Sequence, residues 1–158
     1  MAHRLRSVGL DFAETAPVRL VFAREVPAAP RAVFRALAED VPGWADWYSA
    51  VSLARPLDGG ARREVRLKGG VRFEETVLAA KEPELYAYRV DVTNAPGMRA
   101  LVEEWRLLPT GIGTGTRVQW TFAADGTAAF RLVLKAARTG LGRAFRDAVI
   151  SLDRRIAA

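Results

Sequence analysis

A carboxylate lies among apolar residues in the segment GGVRFEETV, which begins at Gly69. Val71, Phe73 and Val77 repeat at every second position, which is the spacing of side chains on one face of a β-strand. Glu75 falls on that same face. A buried carboxylate is costly unless it is paired or protonated, and a protonated one can donate a hydrogen bond or a proton to a carbonyl group. The spacing therefore predicts an acid inside the protein.

Other polar residues share the predicted inner face. Tyr86 and Tyr88 lie on the next predicted strand, and Glu103 lies between Leu101 and Trp105 on the strand after it. Apolar walls with a few placed polar groups are typical of small-molecule pockets. We therefore expect these strands to face a cavity.

Structural alternatives remain open for both acids. Glu75 could pair with Arg63 or with a tyrosine hydroxyl and have no other role. Glu103 could lie beyond the end of the sheet, in water. Trp105 and Trp120 could be core residues that only touch a cavity.

The residues that are missing exclude several kinds of chemistry. The chain has no cysteine, which excludes disulfides, thiolate catalysis and cysteine-based metal sites. Its single histidine, His3, lies in a predicted flexible terminus, so a histidine-based nucleophilic mechanism and a histidine-bound metal are not expected. We predict no metal and no cofactor, and any acid–base chemistry would come from Asp, Glu, Tyr or Lys side chains or from water.

The net charge of +6 permits an anionic partner. Basic and acidic residues are interspersed through most of the chain, so nucleic-acid binding is not the expected role. Several arginines lie on the polar side of the predicted C-terminal helix. This pattern favours a solvated face, with contact to a membrane surface as the alternative.

The 158 residues are expected to form one domain, residues 18–158, after an N-terminal extension, residues 1–17. No apolar run approaches the ~20 residues that span a bilayer, and the first residues lack the apolar stretch of a signal peptide. These features predict a cytoplasmic protein. Monomer and homodimer both remain open.

The predicted elements follow the order strand, two short helices, six strands and one long helix. The first strand is Val18–Val26, and AAPRAVFRALAED and GWADWYSAV predict the short helices. A final helix capped by Thr127 supplies the cover that the apolar face of an antiparallel sheet needs, with room for a cavity between them. The six later strands are predicted at Ser52–Pro56, Ala61–Lys68, Val71–Ala80, Tyr86–Thr93, Met98–Leu108 and Gly115–Ala123.

This order of elements resembles the START-like, or helix-grip, superfamily, and within it the polyketide cyclase/dehydrase branch. The resemblance is carried by VPAAPRAVFRALAEDVPGWADWY, by the hairpin VRLKGGVRFEETVLAAKEPELYAYRV and by the last hairpin, EEWRLLPTGIGTGTRVQWTF. It implies an α+β fold in which a curved antiparallel sheet of about seven strands wraps around a long C-terminal helix. It also implies a hydrophobic cavity for a lipid-like or aromatic polyketide-like molecule.

The resemblance also implies roles for two residues. In aromatase/cyclase members, an arginine in a context like FRLK directs ring closure together with a nearby tyrosine. Arg66 in VRLK is the matching position, and Tyr48 lies one helical turn before the place of the family's tyrosine. Strand alternation instead puts Arg66 on the outer face unless a bulge reverses it, so both placements remain open.

The main prediction is a protein that binds a hydrophobic small molecule. The alternative is a cofactor-independent polyketide cyclase, aromatase or dehydrase in which Glu75, Arg66 or Tyr48 acts on the substrate. The residues expected around the ligand are Trp44, Tyr48, Val65, Leu67, Phe73, Glu75, Tyr86, Tyr88, Val90, Leu101, Glu103, Trp105, Trp120, Phe130, Leu134 and Ala137.

Overall fold

The computed structural model describes residues 1–111 and 113–158. In this part of the chain two 3₁₀ turns, Val41–Gly43 and Asp58–Gly60, accompany the regular elements. These elements, in chain order, are β1 (His3–Arg4), α1 (Phe12–Thr15), β2 (Val18–Val26), α2 (Pro30–Ala38), α3 (Trp44–Trp47), β3 (Val51–Leu57), β4 (Arg62–Leu67), β5 (Arg72–Lys81), β6 (Leu85–Thr93), β7 (Met98–Pro109), β8 (Thr116–Gly126), α4 (Ala128–Ala136) and α5 (Arg138–Ala157).

The strands form one antiparallel sheet in the order β2-β8-β7-β6-β5-β4-β3, with β1 beside the end of β6. Successive side chains on each strand point to opposite faces of the sheet. The helices α2, α3 and α5 pack on the inner face, where the main hydrophobic core lies. This arrangement confirms the predicted α+β helix-grip fold.

The two short helices place aromatic side chains over the inner face. α2 begins at Pro30, whose fixed φ suits the first turn of a helix, and it buries Val33 and Leu37. α3 is a single turn that buries Trp44 and Trp47. The indole N–H of Trp44 donates to the Leu37 carbonyl at 2.9 Å, which ties α3 to α2.

The C-terminal helical segment consists of two helices, which corrects the expectation of one continuous helix. Thr127 caps α4 as predicted, because its hydroxyl oxygen accepts the Phe130 N–H at 3.1 Å. Ala137 departs from helical geometry, with ψ near −3°, and α5 begins at the next residue. Apolar periodicity continues across this turn, so it did not reveal the break. None of the helices in residues 1–111 and 113–158 is long and apolar enough to cross a membrane.

A glycine in α5 allows close packing on the sheet. A Cβ atom built on Gly142 would lie 2.9 Å from a ring carbon of Phe22, which is shorter than real Cβ contacts. Glycine therefore lets α5 approach β2 at this point. The other glycine of the segment, Gly140, has open space around it.

The N-terminal residues are ordered against the sheet, contrary to the expected flexible terminus. β1 pairs with Val92 and Thr93, and the ring Nε2 of His3 donates to the Met98 carbonyl at 2.8 Å. α1 then buries Phe12 and Ala13 on the outer face of the sheet, in a second apolar cluster with Ala100, Val102 and Ala123. The sequence did not predict this packing because two residues of strand and one turn of helix show no periodicity.

Phe12→Ala is expected to lower the free energy of unfolding by about 3 kcal/mol, because it removes a ring that is buried against β7 and β8. Urea unfolding followed by tryptophan fluorescence measures this change. Glu14→Ala, at an exposed position of the same helix, is the control and should change stability by less than about 0.5 kcal/mol. Equal stability of the two variants would contradict a structural role for α1.

Candidate functional site

A cavity of about 300 Å³ lies between the inner face of the sheet and the C-terminal helices. This is about twice the ~150 Å³ that accommodates a benzene molecule in a protein core, so a ligand of two or three rings fits. The residues that line it are Trp44, Tyr48, Ala50, Val51, Arg63, Val65, Leu67, Phe73, Glu75, Tyr88, Glu103, Trp120, Phe122, Phe130, Val133, Leu134, Ala137, Leu141 and Ala144.

The cavity opens beside α4. Val133 lines the cavity, yet 67% of its surface is exposed. Ala50 and Leu67 line it from the side of the sheet and are partly exposed. A molecule from outside therefore meets apolar side chains first.

An ion pair forms the polar part of the cavity. Arg63 and Glu75 are direct cross-strand partners, and the Arg63 Nε–H donates to Glu75 Oε1 at 2.5 Å. The guanidinium carbon of Arg63 lies 3.8 Å from the ring centroid of Tyr88 and 4.4 Å from that of Trp44. The aromatic faces are attractive to a cation and exclude water from it.

Arg63 remains protonated in this environment. Burial, the largest single effect, would lower its pKa. The Glu75 carboxylate, together with Tyr88, Tyr86 and Glu103, outweighs burial, and the net shift of the Arg63 pKa is upward. Burial raises the pKa of Glu75, and the charge and hydrogen bond of Arg63 oppose that rise. With a guanidinium at 2.5 Å we assign Glu75 as the ionised partner of the pair.

Glu103 is the second carboxyl group of the cavity. The indole N–H of Trp120 donates to its Oε1 at 3.0 Å, and the Tyr88 hydroxyl is a further hydrogen-bond partner. Burial raises the pKa of Glu103 to about 8, and the negative charge of Glu75 adds to the shift, whereas Arg63 opposes it. Since Arg63 balances only one carboxylate, Glu103 is neutral at pH 7 and can donate a hydrogen bond.

The tyrosines of the cavity are neutral phenols. Burial raises the pKa of Tyr48, and the nearby Glu103 adds to this shift. The pKa of Tyr88 is also raised, again mainly by burial. These hydroxyl groups can therefore donate or accept hydrogen bonds near neutral pH, but they cannot act as phenolates.

Metal binding finds no support in the geometry. Across the described ranges, no group of three or more His, Cys, Asp or Glu side chains could hold a metal ion. The acids that the cavity does contain are engaged with Arg63 and Trp120.

Comparison with known proteins agrees with this fold. The family model described as polyketide cyclase / dehydrase and lipid transport matches residues 17–157. The chain belongs to this family. An uncharacterised protein of Mycobacterium tuberculosis is 27% identical over 152 residues, which cover 93% of this chain and 89% of that protein.

Solved structures share the architecture. The Zhui aromatase/cyclase from Streptomyces sp. R1128 matches with a TM-score of 0.69 and 18% identity, covering 89% of this chain and 93% of that chain. A START superfamily protein from Mycobacterium smegmatis matches with a TM-score of 0.67 and 10% identity, covering 88% and 97%. These likenesses confirm the START-like fold that the sequence resembles.

Most residues that the sequence suggested for the ligand surround the cavity of this family member. Their positions are set by strand alternation on the sheet, by α3 and by the apolar stripe of the C-terminal helices. They are Trp44, Tyr48, Val65, Leu67, Phe73, Glu75, Tyr88, Glu103, Trp120, Phe130, Leu134 and Ala137.

Four suggested residues are corrected, because they are buried in the main core and do not line the cavity as the structure describes it. Tyr86 packs edge-on against Phe34 of α2, with ring centroids 6.5 Å apart. Trp105 lies behind α3, with its ring centroid 5.6 Å from that of Trp44. Val90 and Leu101 are likewise fully enclosed in the core.

Arg66 does not lie at the cavity, contrary to the family analogy. Its side chain is 52% exposed, and its Nε–H donates to Glu64 on the outer face at 3.0 Å. β4 and β5 pair without a bulge from Arg62 to Arg66, so alternation holds and turns Arg63 inward instead. Of the three suggested catalytic residues, Glu75 and Tyr48 line the cavity.

Several cavity residues were not among the suggested ones. Arg63 and Phe122 had a signal, since each shares a strand face with apolar residues that point inward. Leu141 belongs to the apolar helical stripe. Val133 had no signal, because it lies on the exposed side of α4 and reaches the cavity only at its mouth.

Glu103→Gln is expected to remove a large part of the pH dependence of stability. The pKa of Glu103 is about 8 in the folded protein and 4.5 ordinarily, so between these values the folded state holds a proton that the unfolded state has lost. Stability therefore falls as the pH rises through this window. From pH 5 to pH 8 the wild type should lose about 3–4 kcal/mol more free energy of unfolding, measured in urea, than the variant.

Glu104→Gln is the matched control for this titration. Glu104 lies next in the chain, faces the other side of the sheet and pairs with Arg106 at 2.7 Å. The pH dependence of this variant should remain that of the wild type. The same loss of stability in Glu103→Gln and in the wild type would show that Glu103 is not held neutral.

Proposed function

We propose that the protein binds a hydrophobic small molecule, either aromatic polyketide-like or lipid-like, between the sheet and the C-terminal helices. The observation that supports this function is the cavity of about 300 Å³, whose walls are almost entirely apolar and whose polar groups are few. Such a composition is typical of small-molecule sites. The cytoplasmic location and the monomeric or homodimeric state remain predictions.

The walls favour an apolar ligand. Trp120 and Phe122 lie edge to face on the sheet, with ring centroids 5.8 Å apart, and Trp120 also stacks on Phe145 at 5.9 Å. On another wall Tyr48 is nearly parallel to Trp44, at 6.3 Å. Aromatic rings and long apolar chains gain both burial and ring contacts on such surfaces.

The polar groups favour a ligand with an acceptor oxygen. Neutral Glu103 can donate its carboxyl proton, and the Nη1 of Arg63 has no hydrogen-bond partner within the described residues. A carbonyl or hydroxyl oxygen would satisfy such donors. A carboxylate ligand is disfavoured, because Arg63 is already balanced by Glu75 and a second negative charge would be buried without a partner.

Ala137→Trp is expected to block the cavity, because Ala137 lines it at the exposed junction of α4 and α5. Titration with the neutral fluorescent probe N-phenyl-1-naphthylamine should show at least about a tenfold loss of affinity, the effect of losing ~1.4 kcal/mol or more of binding energy. Ala136→Trp introduces the same side chain at the adjacent, exposed position outside the cavity and should bind like the wild type. Wild-type affinity in Ala137→Trp would place the ligand elsewhere.

A second candidate function is cofactor-independent cyclisation or dehydration of a polyketide. The observation that favours it is the neutral Glu103, which can polarise a carbonyl oxygen by a short hydrogen bond and stabilise the negative charge that develops there. Tyr48 and Glu75 line the same cavity. With Arg66 on the outer face, the role in ring closure that the family analogy gave to Arg66 passes in this proposal to Glu103.

Glu103→Gln separates binding from catalysis. Glutamine keeps the size and a hydrogen-bond donor but has no proton to transfer, so probe affinity should stay within about threefold of wild type while turnover of a synthetic poly-β-ketone falls by at least about a hundredfold. Product formation measured by liquid chromatography tests this. Absence of turnover by the wild type as well would leave binding as the function.

A further inference from the structure

One face of α4 is exposed and apolar. Leu132 and Val133 are 71% and 67% exposed, and among the described residues they are the most exposed large apolar side chains after Met1. Ala129 and Ala136 are also exposed and extend the row, since the four residues follow the spacing i, i+3, i+4, i+7. A contiguous apolar row on a surface helix, unlike a single exposed leucine, indicates an interaction surface.

The chain around this face is strongly basic. Between Gly126 and Arg146 there are five Lys or Arg residues and no Asp or Glu, so this segment supplies five of the six net positive charges of the protein. Lys135 and Arg138 are exposed, and within residues 1–111 and 113–158 neither forms an ion pair. Arg131 approaches Asp125 at 3.8 Å.

The same face borders the mouth of the cavity. Val133 belongs both to the exposed row and to the cavity lining. Ala137, at the break between α4 and α5, is also exposed and also lines the cavity. Whatever covers α4 therefore also covers the entrance.

We propose that α4 docks the protein on an anionic lipid surface, with Leu132 and Val133 in the boundary between headgroups and acyl chains. Lys135 and Arg138 then lie against the lipid phosphates. A surface helix with an exposed apolar row and exposed cations beside it is the pattern of interfacial helices. The uniform sign of the charge matches an anionic leaflet.

Docking in this orientation lets an apolar ligand move between bilayer and cavity without crossing water. This passage depends on the proposed binding function. The docking itself does not, because it needs only the surface of α4.

Co-sedimentation with lipid vesicles tests the proposal. The wild type should bind vesicles of phosphatidylglycerol and phosphatidylcholine at low salt, bind them less at high salt, and not bind phosphatidylcholine alone. The double variant Leu132→Gln, Lys135→Gln removes one exposed leucine and one exposed cation of α4, and neither residue lines the cavity. Its affinity for the anionic vesicles should fall by about tenfold or more.

The matched control is the double variant Leu108→Gln, Arg117→Gln. Leu108 is 50% exposed, and Arg117 is exposed and is its direct cross-strand partner. Arg117 lies near the start of β8, and α4 begins just after the end of β8. The control site is therefore about 30 Å from α4 along the strand. Its vesicle affinity should stay within about twofold of wild type.

Three outcomes would overturn the proposal: no binding of the wild type to anionic vesicles at low salt, equal binding to pure phosphatidylcholine, or equal losses in the two double variants. A protein partner with an acidic surface predicts the first of these. Titration with N-phenyl-1-naphthylamine in the absence of vesicles is expected to be unchanged in both double variants. If the wild type bound the vesicles but not the probe, this would count against the ligand-binding function alone.

Discussion

The ion pair between Arg63 and Glu75 is the interaction on which the interior of this protein depends. An apolar cavity cannot hold an isolated charge, and removing one partner of a buried pair typically costs about 3–5 kcal/mol. Here the partners lie directly opposite each other on β4 and β5 and are joined at 2.5 Å. The aromatic rings of Trp44 and Tyr88 enclose the guanidinium. The pairing register of two strands and the position of α3 thereby set the electrostatics of the site.

The cavity has one cation for two carboxyl groups, and this decides the protonation state of Glu103. The pKa of Glu103 rises to about 8 because the group is buried and because the nearby Glu75 carboxylate, which is already paired with the arginine, is negatively charged. The cavity then offers a neutral acid, two neutral phenols and apolar walls. These groups suit a weakly polar ligand with an acceptor oxygen, whether the ligand is only bound or also converted.

The two ends of the cavity differ in character. Glu75 is 1% exposed and Arg63 is 2% exposed, whereas Val133 at the mouth is 67% exposed. The break at Ala137 ends the short helix α4, which carries both the entrance and an apolar, cationic outer face. The polar groups of the cavity and its apolar mouth are thus separated in space.

The sequence by itself determined the fold class and much of the cavity lining. Side chains alternate between the two faces of a strand, and the side chains on one face of a helix recur every 3.6 residues. Local pattern alone therefore predicted that Val65, Phe73 and Leu134 point inward. The same alternation put Arg66 outside, where the structure has it, against the analogy with aromatase/cyclases. Only the tertiary structure decided that Arg63 forms its ion pair with Glu75 rather than with Glu103. It also decided that Trp105 lies behind α3 and that α1 covers the outer face of the sheet. Each of these depends on cross-strand register or on packing between residues far apart in the chain, and a local pattern has no information about such contacts.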